Sequence, residues 1–394
     1  MMLPNGWKKV KLGDCFDVQL GKMLNKNARE QEPQYPYVAN VNVRWGSLNT
    51  ERLPTMYFSE REKEKFALKK NDILMCEGGE IGRCTVLKHS LDNVFYQKAC
   101  HRLRTKNNLC APDYLYFYIN HYVTSREIVG LVGESSIAHL PVEKVIQIQL
   151  NLPPIEEQKK IATTLSVWDS AIEKMEKLVE AKEVSFNNLL KELIYSPAEK
   201  ECWNIVKLGD VSEMCSGGTP KSSVETYYNG DVLWVSIADM TEQGMYIKDT
   251  AKKLTKLGVE NSAAKIYPKG TVLYAMYASI GEVSIAEKEM ASSQAILGIQ
   301  VSDKLVNKYL YYFLVGQKER IKLQGQAGTQ SNLNAGMVKN LDIPLPSIKE
   351  QNKIIAILDN GMNELYLLKQ QLENYKKQKQ GLMQKLLTGE WRVK

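Results

Sequence analysis

The sequence predicts two globular domains of mixed α/β (α+β) class, separated by two long helices that form an antiparallel coiled coil. Three observations support this prediction: a heptad pattern in the middle of the chain, a second copy of that pattern at its end, and a repeat of the segments that precede each copy. The chain therefore has a pseudo-twofold internal repeat, in the order globular domain, helix, globular domain, helix.

The first long helix is predicted to begin at Pro153-Pro154. Proline suits the first helical turn because the backbone N–H groups there have no partner within the helix. Glu156 and Glu157 suit the same turn because carboxylates stabilise the positive end of the helix dipole. Apolar residues then recur in alternating steps of four and three, the spacing of a coiled-coil seam. The seam residues are Ile161, Leu165, Trp168, Ile172, Met175, Val179, Phe186, Leu189 and Leu193.

The second long helix repeats the first, since residues 345–354 match residues 152–161. Its predicted seam is Ile354, Leu358, Leu365, Leu368, Leu372, Tyr375, Leu382 and Leu386. The two seams have gaps at Lys182, Gly361 and Lys379. A long helix with one apolar face must bury that face, and the nearest candidate is its own copy. The first helix is net acidic and the second net basic, which favours pairing between them, and about forty residues would make a coil about 60 Å long.

The repeat extends into the globular domains. Trp7 and residues 10–14 return as Trp203 and residues 206–210, Gln97 aligns with Gln294, and Leu140 aligns with Leu333. Short apolar runs between Gly, Asn and Asp predict strands at 37–43, 72–76, 84–87, 232–237, 270–276 and 283–286. Amphipathic spacing predicts helices at 111–122 and 303–314. The predicted segments are 1–151, 152–199, 200–343 and 344–394.

Composition restricts the class of protein without deciding it. The chain lacks an apolar run of the roughly 18 residues that a membrane span needs and lacks an apolar signal at its start, so we expect a cytoplasmic protein with no membrane partner. Its seven cysteines are odd in number and form no CxxC motif, which predicts free thiols in a reducing compartment. A net charge of +7 is compatible with nucleic-acid binding but does not require it.

Sequence motifs of catalysis are missing. No phosphate-binding GxxxxGK[ST] loop occurs, and in residues 216–221 Pro220 would break the helix that such a loop needs. Residues 151–155 differ from the Asn-Pro-Pro-Tyr loop of adenine methyltransferases, since Ile155 replaces the aromatic residue that stacks on a flipped base. Glu77-Gly78-Gly79-Glu80 is interpreted as a turn rather than a metal site. We therefore expect no catalytic residue and no metal in this chain.

Each predicted globular domain carries turns with polar, basic and aromatic side chains. Arg and Lys can bond guanine edges, Asn and Gln adenine edges, and Asp or Glu cytosine amino groups. For any one of these residues, the alternative is that its side chain lies on the solvated surface or bonds within its own turn. Gln97 and Gln294 could equally be buried structural amides. The candidates for DNA contact are Asn42, Arg44, Trp45, Glu77, Arg83, Gln97, Lys98, His101, Arg102, Arg104, Thr219, Lys221, Ser236, Asp239, Tyr274, Tyr277, Ser279, Gln294, Gln330, Asn332 and Asn334.

With these residues in view, nearly the whole chain resembles the DNA-specificity subunits of type I restriction–modification systems. The helix starts LPPIEEQKKIA and LPLPSIKEQNKII resemble the conserved regions of that family. KNDILMCEGGEIGRC and YQKACHRLR resemble one version of its target-recognition domain, and CSGGTPKSS, VLWVSIADM, YASIGEVSIA and SSQAILGI resemble another. SNLNAGMVKNLDIPLP resembles the run into the second conserved helix. Each fragment alone is weak evidence for the family, but the order of the fragments, duplicated with the two helices, is specific to it.

The resemblance implies a non-catalytic subunit with two target-recognition domains, 1–151 and 200–343, and two spacer helices, 152–199 and 344–394. Each domain would read one half of a bipartite, asymmetric target in double-stranded DNA through the major groove. The coiled coil would set the spacing and dock two methyltransferase subunits, which bring S-adenosylmethionine and methylate adenine. Motor–nuclease subunits, which use ATP and Mg, would complete the restriction complex in the bacterial or archaeal cytoplasm.

Three other interpretations remain at this stage. The chain could serve a system whose methyltransferase and nuclease share one polypeptide. It could carry methyltransferase activity itself, or it could be a structural adaptor without a role on DNA.

Overall fold

The computed structural model describes residues 3–132, 139–196, 203–277, 279–325 and 333–393. The chain forms two compact units: unit 1 is Met1–Glu176 with Gln371–Lys394, and unit 2 is Lys177–Gln370. Each unit therefore combines one mixed α/β part with a portion of both long helices. The segment boundaries after residues 151, 199 and 343 stay predictions, because the compact units divide the chain inside the helices instead.

Unit 1 is built around a four-stranded antiparallel sheet. The strands are β1 (Lys8–Lys11), β2 (Phe16–Leu20), β3 (Gln34–Val38), β4 (Val43–Arg44), β5 (Ser47–Leu48), β6 (Thr55–Tyr57), β7 (Ile73–Cys76), β8 (Cys84–Val86), β9 (Phe95–Tyr96), β10 (Cys100–Thr105) and β11 (Gln149–Leu152). The main sheet has the order β2-β10-β7-β8, and β6-β3-β9 forms a second sheet in which β3 and β9 are parallel. The pairs β1-β11 and β4-β5 complete the unit.

The helices that begin in unit 1 pack on its two sheets, and the last of them enters the coiled coil. They are α1 (Leu12–Cys15), α2 (Lys26–Glu30), α3 (Glu60–Phe66), α4 (Pro112–Thr124), α5 (Val129–Val132), α6 (Val142–Val145) and α7 (Ile155–Leu190). Residues 114–119 of α4 are all buried, because α4 packs on the sheet on one side and near the long helices on the other. The same core cluster includes Ile161 and Leu165 of α7, so the α/β part and the helix start share one core.

Unit 2 repeats this plan with a larger main sheet. Its strands are β12 (Asn204–Lys207), β13 (Ser212–Ser216), β14 (Tyr228–Val235), β15 (Tyr246–Ile247), β16 (Lys252–Leu254), β17 (Val272–Ala275), β18 (Val283–Ala286), β19 (Ala291–Ser292), β20 (Ile296–Val301) and β21 (Asp342–Leu345). The main sheet has the order β13-β20-β17-β18-β15. The sheet β16-β14-β19 and the pair β12-β21 correspond to β6-β3-β9 and β1-β11 of unit 1.

The helices that begin in unit 2 are α8 (Ile237–Gln243), α9 (Lys256–Glu260), α10 (Asn307–Gly325), α11 (Ala335–Lys339) and α12 (Ile348–Thr388). Residues 309–314 of α10 are buried, as are the equivalent residues of α4. Ile354 and Leu358 of α12 join that core cluster, just as the start of α7 joins the core of unit 1. The predicted mixed α/β repeat is therefore confirmed. The predicted helix at 111–122 is present with small shifts at its ends, whereas the one predicted at 303–314 begins four residues later and extends eleven residues further, to Gly325.

Two predicted strands end earlier than the sequence indicated. The predicted strand at 37–43 stops at Val38, because the chain turns into a 3-10 helix at Asn40–Asn42. The predicted strand at 232–237 stops at Val235, because Ser236 caps α8. Both ends lie where the sheet strand gives way to a turn, which is the part of an apolar run that periodicity defines least well.

The two long helices pack against each other antiparallel, as predicted. In unit 1, the Trp168 ring of α7 meets the edge of the Tyr375 ring of α12 at 6.0 Å, and Lys379 forms an ion pair with Asp169. In unit 2, Lys182 pairs with Glu364 at 2.7 Å. Lys182 and Lys379, two of the gaps in the predicted seams, are thus interhelical ion-pair residues.

The third seam gap, Gly361, makes room for an aromatic ring. A Cβ atom at this position would lie 3.1 Å from Cδ2 of Phe186, so the glycine lets the Phe186 ring pack close to α12. A side chain of any size at residue 361 would displace that ring. The absence of a seam residue here is therefore a packing feature of unit 2 rather than a defect in the heptad pattern.

The predicted seam is buried along most of both helices but shifts at the end of α7. Ile161, Leu165, Val179, Ile354, Leu358, Leu365, Leu372 and Leu386 are buried, while Trp168, Ile172, Met175, Leu368 and Leu382 are half-buried. Lys191–Tyr195 form a π-helical turn, and there the fully buried side chains are Leu190 and Ile194. Leu189 and Leu193 are half-buried beside them, so the buried side chains lie one residue further along the chain than the predicted seam.

Among the described residues, no helix is long and apolar enough to cross a membrane. Cys15, Cys76, Cys84, Cys100, Cys110 and Cys215 are free thiols. Cys202 lies outside the described residues.

Candidate nucleic-acid interface

The same backbone hydrogen bonds recur in both units, and they show which turns of unit 1 correspond to which turns of unit 2. In unit 1, the N–H of Gly21 donates to the carbonyl of Cys100, and in unit 2 Gly217 donates to Ile296. The N–H of Glu77 donates to Ala99, as Met276 does to Ala295. Residues 21, 77 and 97–100 of unit 1 therefore correspond to residues 217, 276 and 293–296 of unit 2.

This correspondence corrects the predicted alignment of two glutamines. The N–H of Cys100 donates to the carbonyl of Gln97, and that of Ile296 donates to Ser293, so Gln97 corresponds to Ser293. The residue equivalent to Gln294 is Lys98. Both Lys98 and Gln294 are exposed at the tip of the turn that leads into the central strand of the main sheet. Sequence alignment missed this pair because it matched residue types rather than positions.

Gly21 and Gly217, directly after β2 and β13, let the strand end lie close to this turn. A Cβ atom at Gly21 would lie 2.4 Å from the carbonyl oxygen of Gln97, and one at Gly217 would lie 2.3 Å from that of Ser292. Real side chains do not tolerate such distances, so the end of β2 or β13 can lie against the turn only with glycine there. The two units thus build the same turn by the same means.

In unit 1, further loops converge on this end of the sheet. The Arg83 guanidinium donates to the carbonyl of Asn40 at 2.9 Å and pairs with Glu80 at 2.6 Å. The Trp45 indole N–H donates to Glu80 at 2.8 Å, while its ring meets that of Tyr116. We call this surface the loop end of unit 1, and it comprises residues 40–46, 77–83 and 97–99. Arg44 and Lys98 are its exposed cationic candidates, and Trp45, Glu77, Arg83 and Gln97 are half-buried.

Four candidates of unit 1 are engaged in the interior instead. Asn42 is 6% exposed, and its side-chain oxygen accepts from the N–H of Ala39. Arg102 is 5% exposed and donates to the carbonyls of Lys65 and Ala67. A buried guanidinium bonded to backbone carbonyls serves the fold, so these side chains are not placed to meet a ligand.

Arg104 and His101 are held in the same way. The Arg104 guanidinium forms a bidentate pair with the buried Asp72 carboxylate at 2.7 and 2.6 Å, which raises the pKa of the arginine above its usual value. Burial lowers the pKa of His101, and its Nε2 lies 2.7 Å from the carbonyl oxygen of Leu140. Because a carbonyl only accepts, Nε2 carries the proton and donates.

In unit 2, an exposed pair lies at the tip of the equivalent turn. The Thr219 hydroxyl donates to the side-chain oxygen of Gln294, and both residues are exposed. Because this bond uses the amide oxygen, the exposed side chain of Gln294 can still offer its amide N–H groups as donors. Lys221 lies two residues beyond Thr219 and is also exposed.

Other candidates of unit 2 are buried or are hydrogen-bonded within the unit. Ser236 and Asp239 form the capping box of α8, and the second oxygen of Asp239 accepts from the N–H of Ala251. Tyr274 is fully buried, and burial raises the pKa of its phenol. Asn334 is exposed but caps α11 by accepting from Met337 at 2.9 Å.

Two more candidates, Tyr277 and Ser279, are exposed on the segment after β17. Together with residues 217–221 and 293–295, they are named here the loop end of unit 2. Gln330 and Asn332 lie outside the described residues. The exposed groups that remain are hydroxyl, amide, phenol and cationic side chains, which can bond base edges and phosphates but offer no nucleophile paired with a base. Within the described ranges, no three His, Cys, Asp or Glu residues cluster as metal ligands.

The fold and these turns can now be compared with known proteins. A model of the "Type I restriction modification DNA specificity domain" matches the chain twice, over residues 4–183 and 200–377. The chain belongs to the type I restriction–modification DNA-specificity family. It is therefore a non-catalytic specificity subunit that binds a DNA target and assembles with the other subunits of a type I restriction–modification complex.

Curated relatives resemble the chain over nearly its full length. The specificity subunit of the type I restriction enzyme MjaVIII from Methanocaldococcus jannaschii is 24% identical, and the alignment covers 100% of this chain and 95% of that protein. The HindI specificity subunit from Haemophilus influenzae is 23% identical over 91% of this chain and 94% of that protein. At such identity the overall plan is shared, while individual contact residues are not carried over.

Solved structures support the fold. The S subunit of the type I system from M. genitalium has a TM-score of 0.57 at 19% identity and covers 98% of each chain. A chain from a study of complex assembly and conformational transition of the type I R-M system has a TM-score of 0.67 at 18% identity, covering 99% of this chain and 100% of that one.

Proposed function

We propose that the chain reads a bipartite, asymmetric target in double-stranded DNA, with one half-site read by each α/β part. The observation that carries this proposal is the pair of equivalent turns whose exposed tips differ in chemistry, with Lys98 in unit 1 and Gln294 in unit 2. Equivalent position supports a common task, and different side chains support different targets. A lysine offers only donors on a flexible cation, whereas a glutamine fixed by Thr219 offers a directed amide.

The exposed members of the candidate set define the proposed contact surface. In unit 1 these are Arg44 and Lys98, with the half-buried Trp45, Glu77, Arg83 and Gln97 at the rim. In unit 2 they are Thr219, Lys221, Tyr277, Ser279, Gln294 and Asn334. Protein–DNA interfaces combine phosphate contacts, which position the protein, with base-edge contacts, which select the sequence. Asn42, His101, Arg102, Arg104, Ser236, Asp239 and Tyr274 support this surface from within.

The coiled coil is proposed to scaffold two methyltransferase subunits and to set the number of unread base pairs between the half-sites. The methyltransferase subunits would supply S-adenosylmethionine and methylate adenine, and motor–nuclease subunits would supply the ATP- and Mg-dependent restriction activity. This division of labour fits a chain whose exposed residues offer binding groups rather than reactive ones. We place the assembly in the cytoplasm, where its DNA lies.

The proposal is tested by methylome sequencing in a host that lacks other adenine methylation. The chain is expressed together with the methyltransferase subunit encoded beside it, and the control strain expresses the methyltransferase subunit alone. We expect methylated adenines at one asymmetric motif with two defined halves and a fixed unread spacer, present only with both proteins. Methylation without any sequence preference, or none in either strain, would contradict the proposal.

A further inference from the structure

A buried glutamine joins each long helix to its α/β part by the same three hydrogen bonds. In unit 1 this residue is Gln158, in the first turn of α7, with no exposed surface. Its side-chain oxygen accepts from the N–H of Ala111 at 2.8 Å, and its amide nitrogen donates to the carbonyls of Leu109 at 2.8 Å and Pro153 at 2.9 Å. Leu109 and Ala111 lead directly into α4, so one side chain connects two helix starts.

Unit 2 repeats this arrangement bond for bond. Gln351, in the first turn of α12, also has no exposed surface. Its oxygen accepts from the N–H of Val306 at 2.8 Å, and its nitrogen donates to the carbonyls of Lys304 and Pro346, both at 2.9 Å. Lys304 and Val306 lead into α10, which is the counterpart of α4.

A tyrosine adds one further hydrogen bond to each of these connections. The hydroxyl of Tyr114, in the first turn of α4, donates to the carbonyl of Asn151 at 2.6 Å. The hydroxyl of Tyr309, in α10, donates to the carbonyl of Pro344 at 3.1 Å. Asn151 and Pro344 lie at equivalent places in the strands that precede the long helices. Gln158 with Tyr114, and Gln351 with Tyr309, are named here the helix joints.

Because the amides of Gln158 and Gln351 are buried, they neither keep the protein soluble nor bind a ligand at its surface. A buried amide is costly unless its donors and acceptor are satisfied, and each of these amides is fully satisfied by backbone groups. Apolar side chains at the same places would bury equally well without such directional bonds. The bonds instead fix the angle between the start of the long helix and the helix that packs on the main sheet, since α4 packs on β8 and α10 on β17 and β18.

Rocking at the joint would move the contact surface of the α/β part relative to its own long helix. A movement of about 3.4 Å along the DNA corresponds to one base pair, so a small angular freedom at the joint would let that surface meet a half-site that is one base pair out of place. The joint therefore bears on spacing through the α/β part of its own unit.

We propose that Gln158 and Gln351 are positioning residues that set how strictly the subunit discriminates the spacer length between its two half-sites. This inference rests on the proposed bipartite function and deepens it. The glutamines contact no DNA in this account. They act through the helix starts, so their loss should widen the range of accepted spacers and leave both half-site sequences unchanged.

The test uses the complex of the full chain with its methyltransferase subunits. Its substrates keep both half-sites constant and vary the spacer by one base pair in each direction, and the readout is the ratio of initial methylation rates on the native and altered spacers. Gln158→Met and Gln351→Met keep the side-chain length and remove the bonds. We expect each to lower that ratio by about tenfold, because the three bonds that direct the helix start are lost together.

Milder variants and a control make the result decisive. Tyr114→Phe and Tyr309→Phe remove one hydroxyl each and keep the buried rings, so they should lower the ratio by a smaller factor even where the glutamine variants fail to fold. Gln378→Met, at an exposed glutamine of α12, should leave the ratio unchanged.

Three results would overturn the inference. One is a ratio that stays constant in the tyrosine variants while total methylation falls, which is the result of a purely structural role. Another is a changed half-site sequence. A third is an unmodified complex with no sequence preference, which removes the proposed function itself and is recognised in the first control reaction.

Discussion

At the scale of single residues, the loop end of each unit separates side chains that support the surface from those that can meet DNA. Arg104 is bonded to a buried carboxylate and Arg102 to backbone carbonyls, whereas Lys98 is exposed. Charge alone does not distinguish these residues. Their neighbours do, because Arg102 and Arg104 are anchored by groups inside the unit, whereas Lys98 is exposed at the tip of its turn.

Replacing the residue at the turn tip should alter one half-site only. We expect Lys98→Ala to reduce base discrimination at one position of the half-site read by unit 1. We expect Gln294→Ala to reduce it at one position of the half-site read by unit 2. A good base contact contributes about 1–3 kcal/mol of discrimination, so the methylation ratio between cognate and substituted base should fall by about tenfold or more. Methylation rates on a set of singly substituted targets give this measurement.

Arg104→Met is the matched control in unit 1. It removes a cation of the same candidate set, but one that is paired with Asp72 inside the unit. We expect lower thermal stability and an unchanged target, because a partly buried pair is broken and no contact to DNA is lost. A relaxed half-site in this variant, or an unchanged one in both turn-tip variants, would show that the contact surface lies elsewhere.

At the scale of elements, the coiled coil is held by an apolar seam and by ion pairs, several of which join an acidic residue of α7 to a lysine of α12. Glu176 and Glu183 of α7 pair with Lys376 and Lys369 of α12, each within its own unit. Exposed pairs of this kind contribute little stability individually, so their main effect is to favour the observed pairing over others. The net acidic charge of α7 and the net basic charge of α12 already indicate this pairing in the sequence.

A matched insertion tests whether the helices act as the spacer. Seven residues added to α7 after Glu176 and seven added to α12 after Gln370 keep both seams nearly in phase. At about 1.5 Å per residue the coil lengthens by about 10 Å, or about three base pairs. We expect the unread spacer in the methylated motif to lengthen while the half-sites stay the same. A changed half-site, or an unchanged spacer, would refute the spacer role.

The sequence predicted these elements better than it predicted the site. Periodicity located both long helices because a heptad pattern over many turns has few competing explanations. It did not foresee the π-helical turn at Lys191–Tyr195, which moves burial from Leu193 to Ile194. It also misaligned Gln97 with Gln294, because only the hydrogen bonds of the turn reveal which residues correspond.

The buried glutamines were visible in the sequence but could not be interpreted there. Gln158 and Gln351 follow a glutamate in both copies of the helix start, as would two solvent-facing polar residues of an exposed helix. Their role depends on the carbonyls of Leu109 and Lys304, nearly fifty residues earlier in the chain. Local patterns carry no information about such distant partners.

At the scale of the whole molecule, the duplicated plan implies two recognition surfaces that can change independently. Each α/β part has its own core cluster, its own turn tip and its own helix joint. Each core also takes in side chains of the long helices, such as Leu386 in unit 1 and Ile354 in unit 2. An exchange of one α/β part must therefore keep the apolar side chains that face the helices.

The most direct test of this account is to exchange residues 1–151 for the corresponding segment of another family member that retains the tyrosine of the helix joint. The chimaera is expressed with its methyltransferase subunit, and its methylome is compared with that of the unmodified chain. The account predicts that one half-site changes to that of the donor, while the other half-site and the spacer length stay the same. A change in both half-sites, or in neither, would contradict it.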